Sequence, residues 1–433
     1  MPGFQTPRGT RDFLPEEMAA RQFIMDTARK VFESYGFGQV DTPAFESWEL
    51  LSAKGGGGEA IKNEIYYFRD KSDRELGLRF DLTVPFGRLV ASNPQLPKPF
   101  RRYQISKVWR YDKPQAGRMR EFTQMDADIA GAAGMGADSE CISAAVRVLR
   151  ALGFKRFEVR LNDRKVLNGL VQYVGIPDDA APAVFRILDK LEKVPRQEIS
   201  QGLMDAGVDE TMAKKLLNLV EMRGAPKAVL SKASILLKGI PVAEEGIREL
   251  EEICMLSKPY DFDKYVVVDL SLVRGLDYYT GPIYEISAGA GKSIGSIAGG
   301  GRYDRLIELY GGKTMPATGI SIGVERVCEV VRSEGIQLPL RKAVAVSIIS
   351  VNDSVRQKAA AVAEELRCNG IGAEVDLMGR DLRKQMESAG VRGIPYAIII
   401  GPKEVESGRY KLRDMGTGKE EELTLDGIIR KLK

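Results

Sequence analysis

Arg110, Gln124 and Asp128 lie in a stretch, from Val108 to Asp128, that reads as strand, polar turn, strand. Alternate residues of a strand project to opposite faces, so one face of this hairpin carries a guanidinium, a carboxamide and a carboxylate if the register cooperates. A guanidinium offers parallel donors to phosphate oxygens. The other two groups suit a small zwitterion held beside a nucleotide. Two further blocks add to this chemistry. LVRGLDYYTG, from Leu272 to Gly281, places Arg274 after an apolar strand and before Gly275, where a ligand can approach the backbone closely. ATGISIGVER, from Ala317 to Arg326, ends another apolar run on an arginine. A carboxylate and a phosphate repel each other until cations neutralise the phosphate oxygens, so arginines are the residues that such a reaction needs.

Together these blocks resemble the class II aminoacyl-tRNA synthetases, and within them the histidyl-tRNA synthetase family. The resemblance spans nearly the whole chain, including RGTRDFLP from Arg8 to Pro15. It implies ATP-dependent activation of histidine to histidyl adenylate with release of pyrophosphate, then transfer to the 3′ end of the histidine tRNA with release of AMP. Arg110 is then expected to grip the α-phosphate, Arg326 the γ-phosphate, and Arg274 the reacting carboxylate and α-phosphate; Arg118 joins the ATP set. Asp81, Thr83 and Gln124 are expected around the substrate amino group, and Leu82 between them among the histidine-binding residues. Asp128 and Tyr279 face the imidazole, with Tyr278 nearby and Tyr303 bordering the pocket. Asp81 and Asp128 stand where bacterial members carry glutamate, which is the archaeal or eukaryotic style. Arg118 and Arg120 lie in the loop that the family directs at the tRNA acceptor end. Arg409, Lys411 and Arg413, with the basic C-terminus, are candidates for tRNA phosphates. Mg2+ is implied by the ATP chemistry, without identifiable ligands. The family also implies a homodimer.

A second reading is the histidine-sensing regulatory subunit of ATP phosphoribosyltransferase, a non-catalytic relative. It typically lacks the C-terminal domain and has an altered catalytic arginine, whereas Arg110, Arg274, Arg326 and a final α/β segment are all present here.

Composition narrows the chemistry further. The chain has no histidine, which removes serine–histidine triads and histidine metal sites. Proton transfer must use carboxylates, lysines, tyrosines or the substrate, and a nonbridging phosphate oxygen of the adenylate is the expected base in the transfer step. The four cysteines, Cys141, Cys254, Cys328 and Cys368, have no paired spacing for zinc or redox work. A net charge of +4 permits polyanion binding without requiring it. The N-terminus lacks a signal-like apolar core, and no stretch is apolar for long enough to span a bilayer, so a cytoplasmic location is expected. GAGKS, from Gly289 to Ser293, imitates a phosphate loop but has Ile286 where the earlier glycine belongs.

The elements that must position these residues follow from periodicity. At 433 residues the chain is long for one core, so several domains are expected. An amphipathic helix is predicted from residue 15 to 35, with Asp12 as a possible start. A strand ending at Pro43 follows, in the manner of the element through which the family dimerises. Residues 54–59 carry four glycines and read as a mobile active-site loop. Short strands are expected around 65–68 and 76–80, with Asp81, Leu82 and Thr83 at a strand-to-helix junction. Residues 163–257 read as an all-helical insertion, and strands return at 265–270, 283–287 and 293–298. Beyond 336 the rhythm is βαβαβ, predicting a largely parallel sheet, then a hairpin with alternating cations. The fold class is thus an α+β catalytic domain (1–162 and 258–335) with a mixed, mainly antiparallel sheet, a helical insertion (163–257), and a C-terminal α/β anticodon-binding-like domain (336–433).

Overall fold

The computed structural model describes residues 3–53, 64–111, 113, 119–177, 179–273, 278–288, 295–340 and 343–433. The chain divides into two compact units, Met1–Leu338 and Pro339–Lys433.

The first unit opens with α1 (Pro15–Ser34). Proline is at its first helical position and Glu16 and Glu17 lie in its first turn, where a fixed φ and negative charge suit the helix start. Asp12 is not the cap: Leu14 holds that position and makes no side-chain bond to the helix. Ile24, Ala28, Val31 and Phe32 form the buried face. There follow β1 (Gly38–Gln39), β2 (Phe45–Ser47), α2 (Trp48–Ala53), β3 (Tyr67–Arg69), β4 (Glu75–Leu78), α3 (Thr83–Ser92), β5 (Phe100–Trp109), β6 (Glu121–Ala130), α4 (Gly136–Ala151) and β7 (Phe157–Asp163). Six helices come next: α5 (Arg164–Val174), α6 (Ala181–Leu188), α7 (Arg196–Asp205), α8 (Glu210–Val220), and, beyond β8 (Arg223–Gly224), α9 (Pro226–Leu236) and α10 (Pro241–Leu256). The sheet is completed by β9 (Val266–Asp269), β10 (Pro282–Ala288), β11 (Ser296–Arg302) and β12 (Ala317–Gly323), with the short α11 (Leu306–Leu309) before β12 and α12 (Val324–Ser333) after it.

Nine of these strands make one sheet in the order β1-β5-β6-β12-β11-β10-β7-β9-β8. Only β1 with β5 and β7 with β9 run parallel, which gives the mixed, mainly antiparallel sheet expected. The stretch between β7 and β9 is not all helical, because β8 returns to pair with β9 at the sheet edge. Of the strand expected at 293–298, residues 293 and 294 lie outside the described residues, and the described strand is Ser296–Arg302, glycines included. Strand parity sorts core from site. Met125, Ala127 and Ile129 of β6 are buried in the large core shared with α1 and α4, which leaves Gln124, Asp126 and Asp128 to the opposite face.

The second unit comprises β13 (Val346–Ser350), α13 (Arg356–Cys368), β14 (Ala373–Val375), α14 (Leu382–Val391), β15 (Tyr396–Ile400), α15 (Pro402–Ser407), β16 (Arg409–Asp414), β17 (Glu420–Thr424) and α16 (Leu425–Leu432). Its order is β14-β13-β15-β16-β17. The first three strands are parallel, but the hairpin β16–β17 adds antiparallel pairs to the same sheet, so it is mixed where a largely parallel one was expected. A short connection, α15, brings β16 back beside β15 in the opposite direction.

Candidate active site

A cavity of about 500 Å³ opens over β6, β11 and β12, within the size range of small-ligand sites. The β5–β6 register explains its floor. Arg102 faces Asp128 and Ser106 faces Gln124, and the backbone N–H of Arg110 bonds to the carbonyl of Arg120. Continued to that pair, the register puts Arg110, Gln124 and Asp128 on one face, and all three line the cavity.

Two arginines enter from the walls. Arg110 donates from Nε to the Phe80 carbonyl at 2.9 Å and lies over the Phe122 ring, which fixes the plane of its guanidinium. Arg326 donates from Nη1 to the Ser296 carbonyl at 2.9 Å. Its position is set by Glu325, which accepts from Arg21 at 2.8 Å and from the Thr123 backbone, tying the start of α12 to β6 and α1.

Asp81 accepts a hydrogen bond from the Val84 backbone at 2.9 Å, satisfying a donor that the start of α3 would otherwise leave open. Thr83, the first residue of that helix, is brought to the cavity by the same turn. An aromatic wall stands beside them: the Tyr278 and Tyr279 rings are 4.5 Å apart, and Tyr278 meets Tyr303 edge-on at 6.0 Å.

The acids of the floor differ in their partners. Asp128 takes the Tyr303 hydroxyl on Oδ1, and Arg102 Nη2 lies 2.7 Å from Oδ2. Arg102 is fully buried, so this charge pair is shielded from solvent. Room for it comes from Gly319, where a Cβ would stand 2.0 Å from Asp128 Oδ1 and 2.8 Å from the Tyr303 hydroxyl. Asp126 is also 2 % exposed, but its Oδ1 has no hydrogen-bond partner among the described residues. Burial pushes the Asp126 carboxyl up to about 7, with Arg102 pulling down and Asp128 and Asp81 pushing up. Burial also raises Asp128 and Tyr303. Because Arg102 touches Asp128, the negative charge of the pair settles there and the proton on Asp126.

Of the residues expected from sequence, Asp81, Thr83, Arg110, Gln124 and Asp128 meet at this cavity. Tyr278, Tyr279, Tyr303 and Arg326 join them. Leu82 does not line it: its side chain is fully buried and its carbonyl accepts from Arg102. Arg274 and Arg118 lie outside the described residues, as do the glycine loop at 54–59 and the GAGKS block. Arg120 stacks over Tyr111 and its backbone N–H reaches the Gly9 carbonyl, so it fastens the N-terminal segment to the hairpin. In the second unit, Arg409 pairs with Glu422 at 3.4 Å, Arg413 with Glu420 at 3.0 Å and Lys411 with Glu404 at 3.9 Å. The alternating cations exist, but each faces an acid that the sequence reading did not pair with it. Asp126 was missed, although its signal was present: it lies two residues from both Gln124 and Asp128, hence on their face. Lys193, between α6 and α7, also reaches the cavity, and nothing in its sequence neighbourhood marks it.

A protein-family model for histidyl-tRNA synthetase matches residues 9–327, and one for an anticodon binding domain matches 345–433. The chain belongs to the histidyl-tRNA synthetase family. A histidine–tRNA ligase of Aeropyrum pernix is 40% identical over 98% of this chain and 96% of its own. The Pyrococcus furiosus ligase is 37% identical over 98% of both. Among solved structures, a histidyl-tRNA synthetase from Nostoc superposes with a TM-score of 0.86 at 31% identity, covering 99% of each chain. One family model falls within each of the two compact units.

Proposed function

We propose that the chain is a histidine–tRNA ligase that uses ATP. Full-length similarity to such ligases supports the activity. The observation that carries the site assignment is that one cavity gathers two arginines with a buried carboxamide and acids. Phosphate oxygens need the first set and an amino-acid zwitterion the second.

Arg110, its plane held by Phe80 and Phe122, neutralises the α-phosphate while the histidine carboxylate attacks the phosphorus and pyrophosphate departs. Arg326 holds the γ-phosphate. Arg274 stabilises the charge that develops on the α-phosphate and carboxylate, and Arg118 assists in binding ATP. Asp81, Thr83 and Gln124 orient the amino group; Asp128, Tyr278, Tyr279 and Tyr303 enclose the imidazole. Buried polar partners reject apolar side chains of similar size, which would leave them unpaired. The terminal ribose hydroxyl of the tRNA then attacks the carbonyl and AMP departs, with a nonbridging phosphate oxygen as base. Arg118 and Arg120 serve the acceptor end, and Arg409, Lys411 and Arg413 the tRNA backbone.

Mg2+ enters with the ATP phosphates. Among the described residues no group of three or more acids or cysteines could hold a metal, a pattern that fits an ion retaining water and phosphate oxygens rather than a closed protein cage. Residues 163–257 act as an inserted element and residues 336–433 as the anticodon-binding domain. The working form is a cytoplasmic homodimer; no described helix is long and apolar enough to cross a membrane.

Histidine-dependent ATP–pyrophosphate exchange tests this reading, with the other amino acids as controls. Exchange specific to histidine that collapses in Arg274→Ala supports the ligase and the role of that arginine. Absence of exchange in folded, magnesium-supplied protein overturns the ligase and favours histidine sensing without catalysis.

A further inference from the structure

Asp126 is an anomaly of the cavity floor. It stands on β6 between Gln124 and Asp128, on the same strand face, and lines the cavity with them. It is 2 % exposed and Oδ1 lacks a partner among the described residues. The described groups around it are as follows. On β5, Gln104 is its register partner and Arg102 is the charged neighbour, already in contact with Asp128. On β12 its register partner is Ser321, whose hydroxyl bonds to the carboxyl and also accepts from Gln124 at 2.6 Å. Asp81 ahead of α3 adds a like charge, and Arg79 after β4 an opposite one that is engaged by the Lys107 and Thr42 carbonyls.

A buried carboxyl without a counter-ion is costly when ionised, because the charge loses its hydration and gains nothing in return. It can hold a proton or acquire a cation. The substrate of the proposed ligase brings one permanent cation near pH 7, its α-ammonium group. The imidazole is largely neutral there, with an unperturbed value near 6.5. Asp128 is held by the Tyr303 hydroxyl on Oδ1 and by the ion pair of Oδ2 with Arg102, and Asp81 accepts from the Val84 backbone, whereas Oδ1 of Asp126 has neither a hydrogen bond nor an ion pair among the described residues.

We infer that Asp126 is the counter-ion of the substrate's ammonium group, filled by a proton while the pocket is empty and by the amino-acid cation once it is loaded. Histidine binding therefore expels a proton: the O–H bond of the carboxyl breaks, the proton passes to the solvent, and the ammonium N–H donates to the carboxylate left behind. The inference rests on the ligase reading and names the group that reads the substrate's charge. It follows that affinity for histidine falls with acidification. Below the midpoint of Asp126, at about 7, a growing share of binding events must first displace a bound proton. The dissociation constant should rise about tenfold from pH 8 to pH 6 through this group.

Calorimetric titration of the intact protein with histidine, at pH 7 in two buffers of different ionisation enthalpy, counts the protons. The wild type should release about half a proton more than Asp126→Asn. The variant should bind histidine about tenfold to a hundredfold more weakly, as expected for loss of a charge-assisted hydrogen bond. Its pH dependence between 6 and 8 should flatten, and exchange kinetics should move in KM more than in kcat. A role confined to holding the strand would not shift the proton count. Should Asp126→Asn fail to fold, the wild type alone decides: histidine bound with no proton released and with constant affinity from pH 6 to 8 overturns the inference. An unchanged proton count in a folded variant does the same. No histidine binding at any pH instead overturns the ligase reading beneath it.

Discussion

The cavity floor and the β16–β17 hairpin both set cations beside acids, and they differ in solvent. Arg102 and Asp128 are almost fully buried at 2.7 Å, whereas Arg413 and Glu420 meet at 3.0 Å with about two-fifths of each side chain exposed. In the floor, removing one partner strands the other charge in a medium that cannot solvate it. In the hairpin, water and salt take over whatever the partner gave. Geometrically similar pairs therefore do different work. Buried ones fix an atom's position and its proton, while exposed ones remain free to exchange a glutamate for another anion, such as a phosphate.

That contrast can be broken in order of effect. Arg110→Ala should lower histidine-dependent pyrophosphate exchange by about a thousandfold, the scale of a lost transition-state donor. Arg110→Lys should restore little, since an ammonium cannot present a planar fork. Asp128→Asn leaves Arg102 buried without its counter-charge and should cost about 3 kcal/mol in urea unfolding. A loss below ~0.5 kcal/mol would mean that the floor behaves like the surface. Gly319→Ala drives a methyl against Asp128 and should cost about 1–3 kcal/mol while raising KM for histidine.

Asp126 gives the comparison a pH axis. Its folded carboxyl is raised to about 7 from an ordinary value of 3.8, so the folded state binds a proton that the unfolded chain has released. The resulting stabilisation is full below the unfolded value and is lost as pH rises towards 7. Unfolding midpoints of the ligand-free protein should show that decline, and Asp126→Asn should lessen it. The smallest change in stability belongs to the hairpin. Arg413→Ala should alter unfolding by less than ~0.5 kcal/mol, yet weaken tRNA binding and reduce the salt slope by about 1 if that arginine meets a phosphate. An unchanged salt slope would remove Arg413 from the tRNA surface.

Much of this was legible beforehand. The periodicity of Ile24, Ala28, Val31 and Phe32 specified α1, and the alternation from Gln124 to Asp128 specified a two-faced strand. Apolar runs closed by Arg110 and Arg326 marked two arginines that line the cavity. What failed depended on distant partners. Asp12 looked like a cap, but Pro15 already starts the helix. Arg223 and Gly224 sat among helices and became an edge strand only because β9 lies beside them. Leu82 was grouped with its neighbours Asp81 and Thr83, yet its side chain turns to the core.

The sequence by itself determined the family, the sheet-and-helix alternation and the set of residue types at the cavity, because local periodicity and short motifs are properties of neighbours along the chain. Only the tertiary structure decided which charges are compensated. Whether Asp126 or Asp128 keeps an oxygen for the substrate depends on Arg102 and Tyr303, residues brought to Asp128 from 26 and 175 positions away. Whether the cations at 409, 411 and 413 are free depends on the glutamates opposite. Burial and pairing set a charge's energy, and both are made by folding.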